Sequence, residues 1–205
     1  MTPIQRLTLE MSLLFVQLLV VFAGLILVPI LWYIFVNRIS FKEMFSRLQL
    51  QRERLDQAIL WGIITIVVAF AITLTIGLLY FYLTKINPND LSNIPDLQQL
   101  FAVPSLYLLV TVQPFCEEFF FRGFLLEKIT KVFGTTVAII STAVLFGISH
   151  LSYTYAYTAG IAFILGVIFA LVVVRTKNLY SAIFAHTAIN IMSLTLYFFG
   201  KSFGI

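Results

Sequence analysis

The sequence predicts an all-α, polytopic membrane helix bundle of about six transmembrane helices, and three observations carry that expectation. Of the 205 residues, 60% are hydrophobic and only 11% are Asp, Glu, Lys or Arg, against about a quarter charged in an average soluble domain. The apolar residues gather in runs long enough to cross a hydrocarbon core of about 30 Å at roughly 1.5 Å per residue. The charged residues lie mostly between those runs. A soluble globule of this length could not bury so much apolar surface, so lipid has to solvate most of it.

The runs fall at 13–35, 58–83, 103–126, 135–150, 157–174 and 179–199. The first is too long for a signal-peptide core, follows Glu10 and lacks a small-x-small cleavage site before Asn37 and Arg38, so it is expected to be a retained span. Segment 37–57 carries Arg38, Lys42, Arg47, Arg52 and Arg54, with Phe41, Met44, Phe45 and Leu48 at helical spacing. An amphipathic helix on the membrane surface is expected there. The third run carries charges and the fourth is short. Segment 87–96, with Pro88, Asn89, Asp90 and Pro95, reads as an external loop. Tyr153, Tyr155 and Tyr157 read as an interfacial aromatic belt or as a loop over a site mouth. Gly160 and Gly166, with Ala159 and Ala162, suggest close helix contact in the fifth run.

If loops alternate sides, one side holds Arg38, Lys42, Arg47, Arg52, Arg54, Arg122, Lys128, Lys131, Arg175 and Lys177, and the other holds Arg6, Lys85 and Lys201. Ten against three supports six spans with both termini outside. Residues 1–102 then form N-terminal transmembrane helices with a surface linker at 37–57, and 103–200 form a core that holds the unusual polar residues. A multi-pass protein of a prokaryotic cell membrane, in contact with lipid, is the expected setting.

Net charge is +4 and the isoelectric point near 9.3, yet the basic residues are scattered between apolar runs and form no continuous face, so no nucleic-acid partner is expected. Cys116 is the only cysteine, which excludes a disulfide framework or a Cys-rich metal cluster. A lone cysteine in an apolar helix reads as a small buried residue rather than a nucleophile. Pro114 is expected to kink its helix or free a carbonyl.

Seven of the nine acidic residues sit in loops or at span ends; the exceptions are Glu117 and Glu118. A charge at membrane depth costs at least about 2.5 to 3.5 kcal/mol on insertion scales. Arg122 lies one turn after Glu118, where an i, i+4 pair can close, and Glu117 is left without an obvious local partner. The only two histidines also lie in or at the ends of apolar runs: His150 ends the fourth, and His186 shares a helix face with Asn190 in the sixth. Singly, these residues read equally well as a structural ion pair, an interfacial histidine and inter-helix hydrogen-bond glue. Together, spread over three helices, they are placed most cheaply as one inward-facing cluster.

A desolvated carboxylate can act as general base toward water, and a neutral histidine can orient that water or protonate a leaving amine. A second histidine with an amide four residues on can donate to a developing oxyanion. These are the parts for peptide hydrolysis. Zinc is the competing use, with Glu117, His150 and His186 as its ligands. The close HExxH spacing is absent, and those residues lie 33 and 36 positions apart, so no cofactor is expected to be required.

Glu117 to Arg122 fits EExxxR, Phe146 to His150 fits FxxxH, and His186 to Asn190 fits HxxxN, in that order within 74 residues. Together they resemble the CPBP family, the CAAX-processing and bacteriocin-processing (Abi) intramembrane proteases related to the eukaryotic CAAX protease Rce1. The resemblance covers about 103–199. It implies a catalytic core in which Glu117 activates the water with help from His150, His186 and Asn190 stabilise the oxyanion, and Glu118 with Arg122 supports the site. It further implies an intramembrane endopeptidase acting on a membrane-associated protein or peptide, prenylated CAAX tails and bacteriocin leaders among them. Relatives in that family tend to carry more membrane helices than the six read here, and some serve in partner binding or bacteriocin self-immunity.

A non-catalytic membrane scaffold or immunity protein is therefore the principal rival. A proton-coupled carrier is a third, weakened by the absence of inverted repeats. Counting along straight helices puts Glu117 roughly 16 to 21 Å from the Lys128–Lys131 surface and His186 only about 10 Å from Leu179. Helix tilt, a kink at Pro114 or shifted boundaries would each close that gap.

Overall fold

The computed structural model describes residues 2–86, 94–151 and 156–202, and every regular element among them is helical. Helix α1, Pro3–Val36, begins at a capping box: Thr2 accepts from the Gln5 backbone while the Gln5 side chain accepts from the Thr2 backbone. That cap and Pro3 at the first position start the helix ten residues before the first apolar run. It widens into π-helical turns at Ala23–Leu27 and Trp32–Val36.

The surface helix expected over 37–57 is shorter than its apolar spacing suggests. α2 spans only Phe41–Arg47, capped by Ser40, because Gln49 and Arg54 adopt left-handed backbone conformations that stop α-helical propagation. Its apolar residues also divide. Met44 and Leu48 are buried, whereas Phe41 and Phe45 are exposed.

α3, Leu55–Thr84, is a long apolar helix. Of the expected external loop at 87–96, residues 87–93 lie outside the described residues, and Pro95 belongs to α4, Ile94–Leu100. Proline is accepted there because first-turn N–H groups have no intrahelical partner anyway. α5, Val103–Glu118, is capped across helices: the Glu10 carboxylate of α1 accepts from the Ala102 N–H at 2.9 Å and the Ser105 hydroxyl at 2.6 Å. The chain continues without a break through a π-helical stretch, Phe119–Leu125, into α6, Leu126–Phe133, which Gly134 ends with φ near 83°.

α7, Thr135–Ser149, α8, Ala156–Thr176, and α9, Tyr180–Ser202, complete the bundle. Among the described residues, four helices are long and apolar enough to cross a membrane: α1, α3, α8 and α9. α7 is apolar but has 15 residues, about 22 Å of helix, and α5 carries the buried charges. The six runs therefore correspond to helices in an all-α, multi-pass membrane bundle, and the two that depart from a simple span are the third and fourth. Tyr153 and Tyr155 lie outside the described residues; Tyr157 packs its ring on Tyr80 at 4.7 Å.

Backbone and side-chain ties collect the loops at two ends. At one, Lys128 donates to Asn37, the Leu179 N–H donates to the Gln49 carbonyl, and Asn178 donates to the carbonyls of Gln51 and Glu53. At the other, Glu10 holds α5 while Tyr197 and Lys201 donate to Gln98. Arg122 is 1% exposed and belongs to neither end. Removing it from the loop count of ten leaves nine basic residues opposite three. Lys128 also lies over the buried Tyr33 ring at 4.2 Å, and this burial pulls its ammonium below the ordinary lysine range despite Glu127 beside it.

Small residues bring α7 and α8 together. A Cβ added at Gly166 would meet Ala143 Cα at 3.0 Å, and one at Gly147 would meet the Ala159 carbonyl oxygen at 3.0 Å. Ala138, Ala143 and Ala170 are fully buried in the same region. Gly160, expected in this contact, instead faces open space. Its place on the helix turns it away from α7.

Candidate active site

Consecutive residues on an α-helix point about 100° apart, and at the end of α5 this separates two carboxylates. Gln113 and Glu117 form one stripe at i, i+4; Glu118 and Arg122 form the next. The first stripe faces a cavity of about 380 Å³ whose walls include Glu117, His150, Asn190 and Gln113, with Gln17 of α1 and aliphatic residues such as Leu106. The second stripe turns into the packed interface with α8 and α9, where Glu118 is 0% exposed.

Glu117 is 6% exposed, and one of its oxygens accepts from Gln113 Nε2 at 2.7 Å. Charge spacing alone leaves Glu117 without a local partner. The partner it misses stands one turn before it, and the only signal in the sequence is an amide at i−4 in an apolar run. Glu118 Oε1 receives two donors, Arg122 Nη1 at 2.7 Å and His186 Nδ1 at 2.8 Å. A carboxylate only accepts, so His186 carries a proton on Nδ1, and its Nε2 lies 3.8 Å from Glu117 Oε2. His186 thus bridges the two stripes. It is 3% exposed and sits behind the cavity wall rather than on it.

Three phenylalanines enclose this network. Phe169 stacks on His186 at 4.8 Å, and Phe146 meets the rings of His186 at 5.7 Å and His150 at 4.5 Å. The Arg122 guanidinium lies 4.2 Å from the Phe146 centroid and 5.7 Å from that of Phe121, and Arg122 donates to the Gly166 carbonyl at 3.1 Å. Such faces attract a cation and exclude water. Glu118 Oε2 and Arg122 Nε find no hydrogen-bond partner among the described residues. Pro114 is buried inside α5, where it cannot donate to the Val110 carbonyl.

His150 caps the end of α7, and its Nδ1 lies 2.8 Å from the Phe146 carbonyl. A carbonyl only accepts, so this nitrogen donates and Nε2 is the basic one. Asn190, one turn after His186, is half-buried on the cavity wall and makes no hydrogen bond among the described residues. Glu117, His150 and Asn190 therefore share the cavity, His186 touches it through Glu117, and Glu118 with Arg122 lies behind. The depth mismatch between Glu117 and His186 is absent. Counting residues assumes one straight α-helix, whereas Pro114 lies inside α5 and Phe119–Leu125 is π-helical.

Zinc held by Glu117, His150 and His186 is the competing use of these side chains, and it requires three donors brought to one point. Among the described residues no three His, Cys, Asp or Glu side chains converge as a metal site would require. His150 turns Nδ1 to a backbone carbonyl and His186 turns it to Glu118. Both contacts leave Nε2 free, as in a metal-ligating histidine, so the ring orientations do not argue against zinc; what does is that Glu117, His150 and His186 are not brought together as a three-donor group among the described residues.

A family model described as type II CAAX prenyl endopeptidase Rce1-like matches residues 99–192, a stretch that starts in α4 and ends two residues after Asn190. A relative from Bacillus subtilis (strain 168), named "Putative membrane peptidase YdiL", is 30% identical over 147 residues, which is 68% of this chain and 57% of the relative. The chain thus spans a little over half the length of that relative. No solved structure matches it. The matched stretch holds all three motifs and the part of the cavity wall that carries Glu117, His150 and Asn190, and these similarities support placing the chain with the CPBP family.

Proposed function

We propose that this protein is an intramembrane endopeptidase that hydrolyses a peptide bond of a membrane-associated protein or peptide, prenylated CAAX tails being one candidate class. The observation that carries the reading is the partition of the two carboxylates: Glu117 opens to the cavity with His150 and Asn190, while Glu118 is sealed against Arg122 and His186.

In this reading Glu117 takes a proton from a water in the cavity while His150 Nε2 accepts that water's second hydrogen bond. The hydroxide adds to the substrate carbonyl carbon. The oxyanion that forms is met by the Asn190 carboxamide; for His186 Nε2 to donate to it as well, Glu117 must turn aside from the wall and the imidazole must carry protons on both nitrogens. Collapse breaks the C–N bond, and the proton held by Glu117 passes to the leaving amine. Glu118 and Arg122 touch no substrate; they orient His186. No step calls for a metal or other cofactor.

Glu117→Gln should abolish cleavage while the fold persists, because a glutamine carbonyl can still accept from Gln113. Comparative proteomics of protein termini, in cells carrying the intact protein or the variant, reads this directly. Undiminished cleavage in the variant would overturn the mechanism. The rival reading, a scaffold or self-immunity protein held by its polar cluster, predicts instead that Glu117→Ala lowers the melting temperature by several degrees.

A further inference from the structure

The cavity wall facing the catalytic candidates carries a polar feature that this mechanism leaves unused. Gln17 is the one carboxamide between Met11 and Val36 of α1, and it lines the same cavity as Gln113. It is exposed at that wall rather than buried, and it has no hydrogen-bond partner among the described residues. An unpaired amide in a membrane span is unfavourable, and inter-helix glue requires a partner that Gln17 lacks. Gln113 is half used. Its Nε2 must face Glu117, since a carboxylate only accepts, and this leaves Oε1 unpaired.

Two glutamines from two helices therefore present unsatisfied amide groups to a space that Glu117, His150 and Asn190 also line and that aliphatic side chains such as Leu13, Leu106, Leu109 and Val110 otherwise wall. The occupant that needs such groups is an unwound peptide. A helical substrate keeps its carbonyl carbons shielded and its backbone groups mutually paired. A segment opened for attack exposes N–H and C=O groups where no bulk water can satisfy them. A glutamine side chain carries the same carbonyl and N–H chemistry as the missing backbone partner. An isoprenoid or acyl chain offers it nothing.

We infer that Gln17 and Gln113 bind the backbone of an unwound, apolar peptide segment in this cavity, Gln17 from α1 and Gln113 through its free carbonyl oxygen beside Glu117. The inference rests on the peptidase reading for the identity of the peptide as substrate, but the binding itself is measurable without turnover.

The test uses the full chain in lipid nanodiscs with His150→Ala as parent, which leaves the Gln113–Glu117 hydrogen bond in place. Its probe is a fluorescent leucine-rich peptide of about 20 residues with a central Gly-Pro break; a second version is N-methylated at the amides flanking the break, and S-farnesylcysteine methyl ester is the hydrocarbon competitor. Adding Gln17→Leu should weaken peptide binding roughly tenfold, the loss of about one well-made hydrogen bond, with no fall in melting temperature. N-methylation should weaken binding to the parent by more than Gln17→Leu does, because it removes the N–H groups that both glutamine oxygens accept, and a smaller cost should persist in Gln17→Leu, where the Gln113 Oε1 contact is still lost. Absence of peptide binding to the parent, unchanged affinity in Gln17→Leu, or a melting temperature lowered by that change would each overturn the proposal. Tighter farnesyl binding in Gln17→Leu, undisplaced by peptide, would assign the cavity to a hydrocarbon chain instead. Cleavage that survives Glu117→Gln in cells refutes the peptidase reading separately, since no arm of this experiment measures turnover.

Discussion

Replacing Arg122 by Met asks the most of the buried network, because it removes a charge and keeps a side chain that can fill much of the volume. Arg122 is 1% exposed and Glu118 0%, so the substitution leaves a carboxylate in a dry interior with His186 Nδ1, at 2.8 Å, as its remaining donor. Breaking a buried pair from one side costs about 3 to 5 kcal/mol. Two features shift that figure in opposite directions. His186 still donates to Glu118, which softens the loss, whereas the bond to the Gly166 carbonyl and the aromatic contacts of the guanidinium disappear as well. At roughly 2 to 4 °C per kcal/mol for a chain of this size, the melting temperature should fall by about 6 to 20 °C. Cys116 supplies the assay. It is the only thiol, 4% exposed and two residues from Glu118, so a thiol-reactive dye reports opening of this region on heating in detergent. Pairing Arg122→Met with Glu118→Leu should recover part of the loss, because no buried charge is then left alone. A single variant that melts within about 2 °C of the parent would refute the claim that the pair sits in a dry interior.

Glycines on α7 and α8 provide a matched comparison. Gly147→Ala places a Cβ 3.0 Å from the Ala159 carbonyl oxygen and 3.1 Å from Phe163 Cβ, and should destabilise by about 1 to 3 kcal/mol. Gly160→Ala meets nothing within 4 Å and should be neutral or slightly stabilising through helix propensity; the same dye assay ranks the two. Asn178 is 2% exposed, donates to the carbonyls of Gln51 and Glu53, and accepts from the Tyr180 N–H at 3.0 Å. Asn178→Ala should cost about 1 to 3 kcal/mol and speed tryptic cutting after Arg52 and Arg54, seen by gel; unchanged cutting would show that the linker is held by other contacts.

Lipid makes part of this site readable from the amino-acid sequence. In water a Glu, a His and an Asn attract no notice, but in apolar runs each is costly, and that cost singles out Glu117, His150, His186 and Asn190. Their convergence is visible in the contacts of Glu117 with His186 and in the shared cavity wall. Other features carry no such signal. Gln113 is uncharged and matches no motif. The end of α2 depends on left-handed backbone at Gln49 and Arg54, and neither is a glycine that would announce it. The early start of α1 follows from a capping box lying among polar residues, outside the apolar run. Helix rotation is equally hidden: nothing in the spacing of His186 and Asn190 says that one faces the cavity and the other stands behind it.

The adjacent carboxylates show where the boundary between legible and illegible lies. Their neighbours at four-residue spacing differ in kind: Glu117 looks back to a neutral amide at Gln113, and Glu118 looks forward to a cation at Arg122. A cation at i+4 neutralises its carboxylate and allows that stripe to be buried completely. An amide can satisfy one lone pair without cancelling the charge, so the other stripe is left needing polar company and space for water. On that argument Arg122 marks Glu118 as the carboxylate that seals the helix interface, and the lack of a charged partner marks Glu117 as the one that must open to the cavity. The residue types at i−4 and i+4 carry enough information to divide the roles once both stripes are considered together.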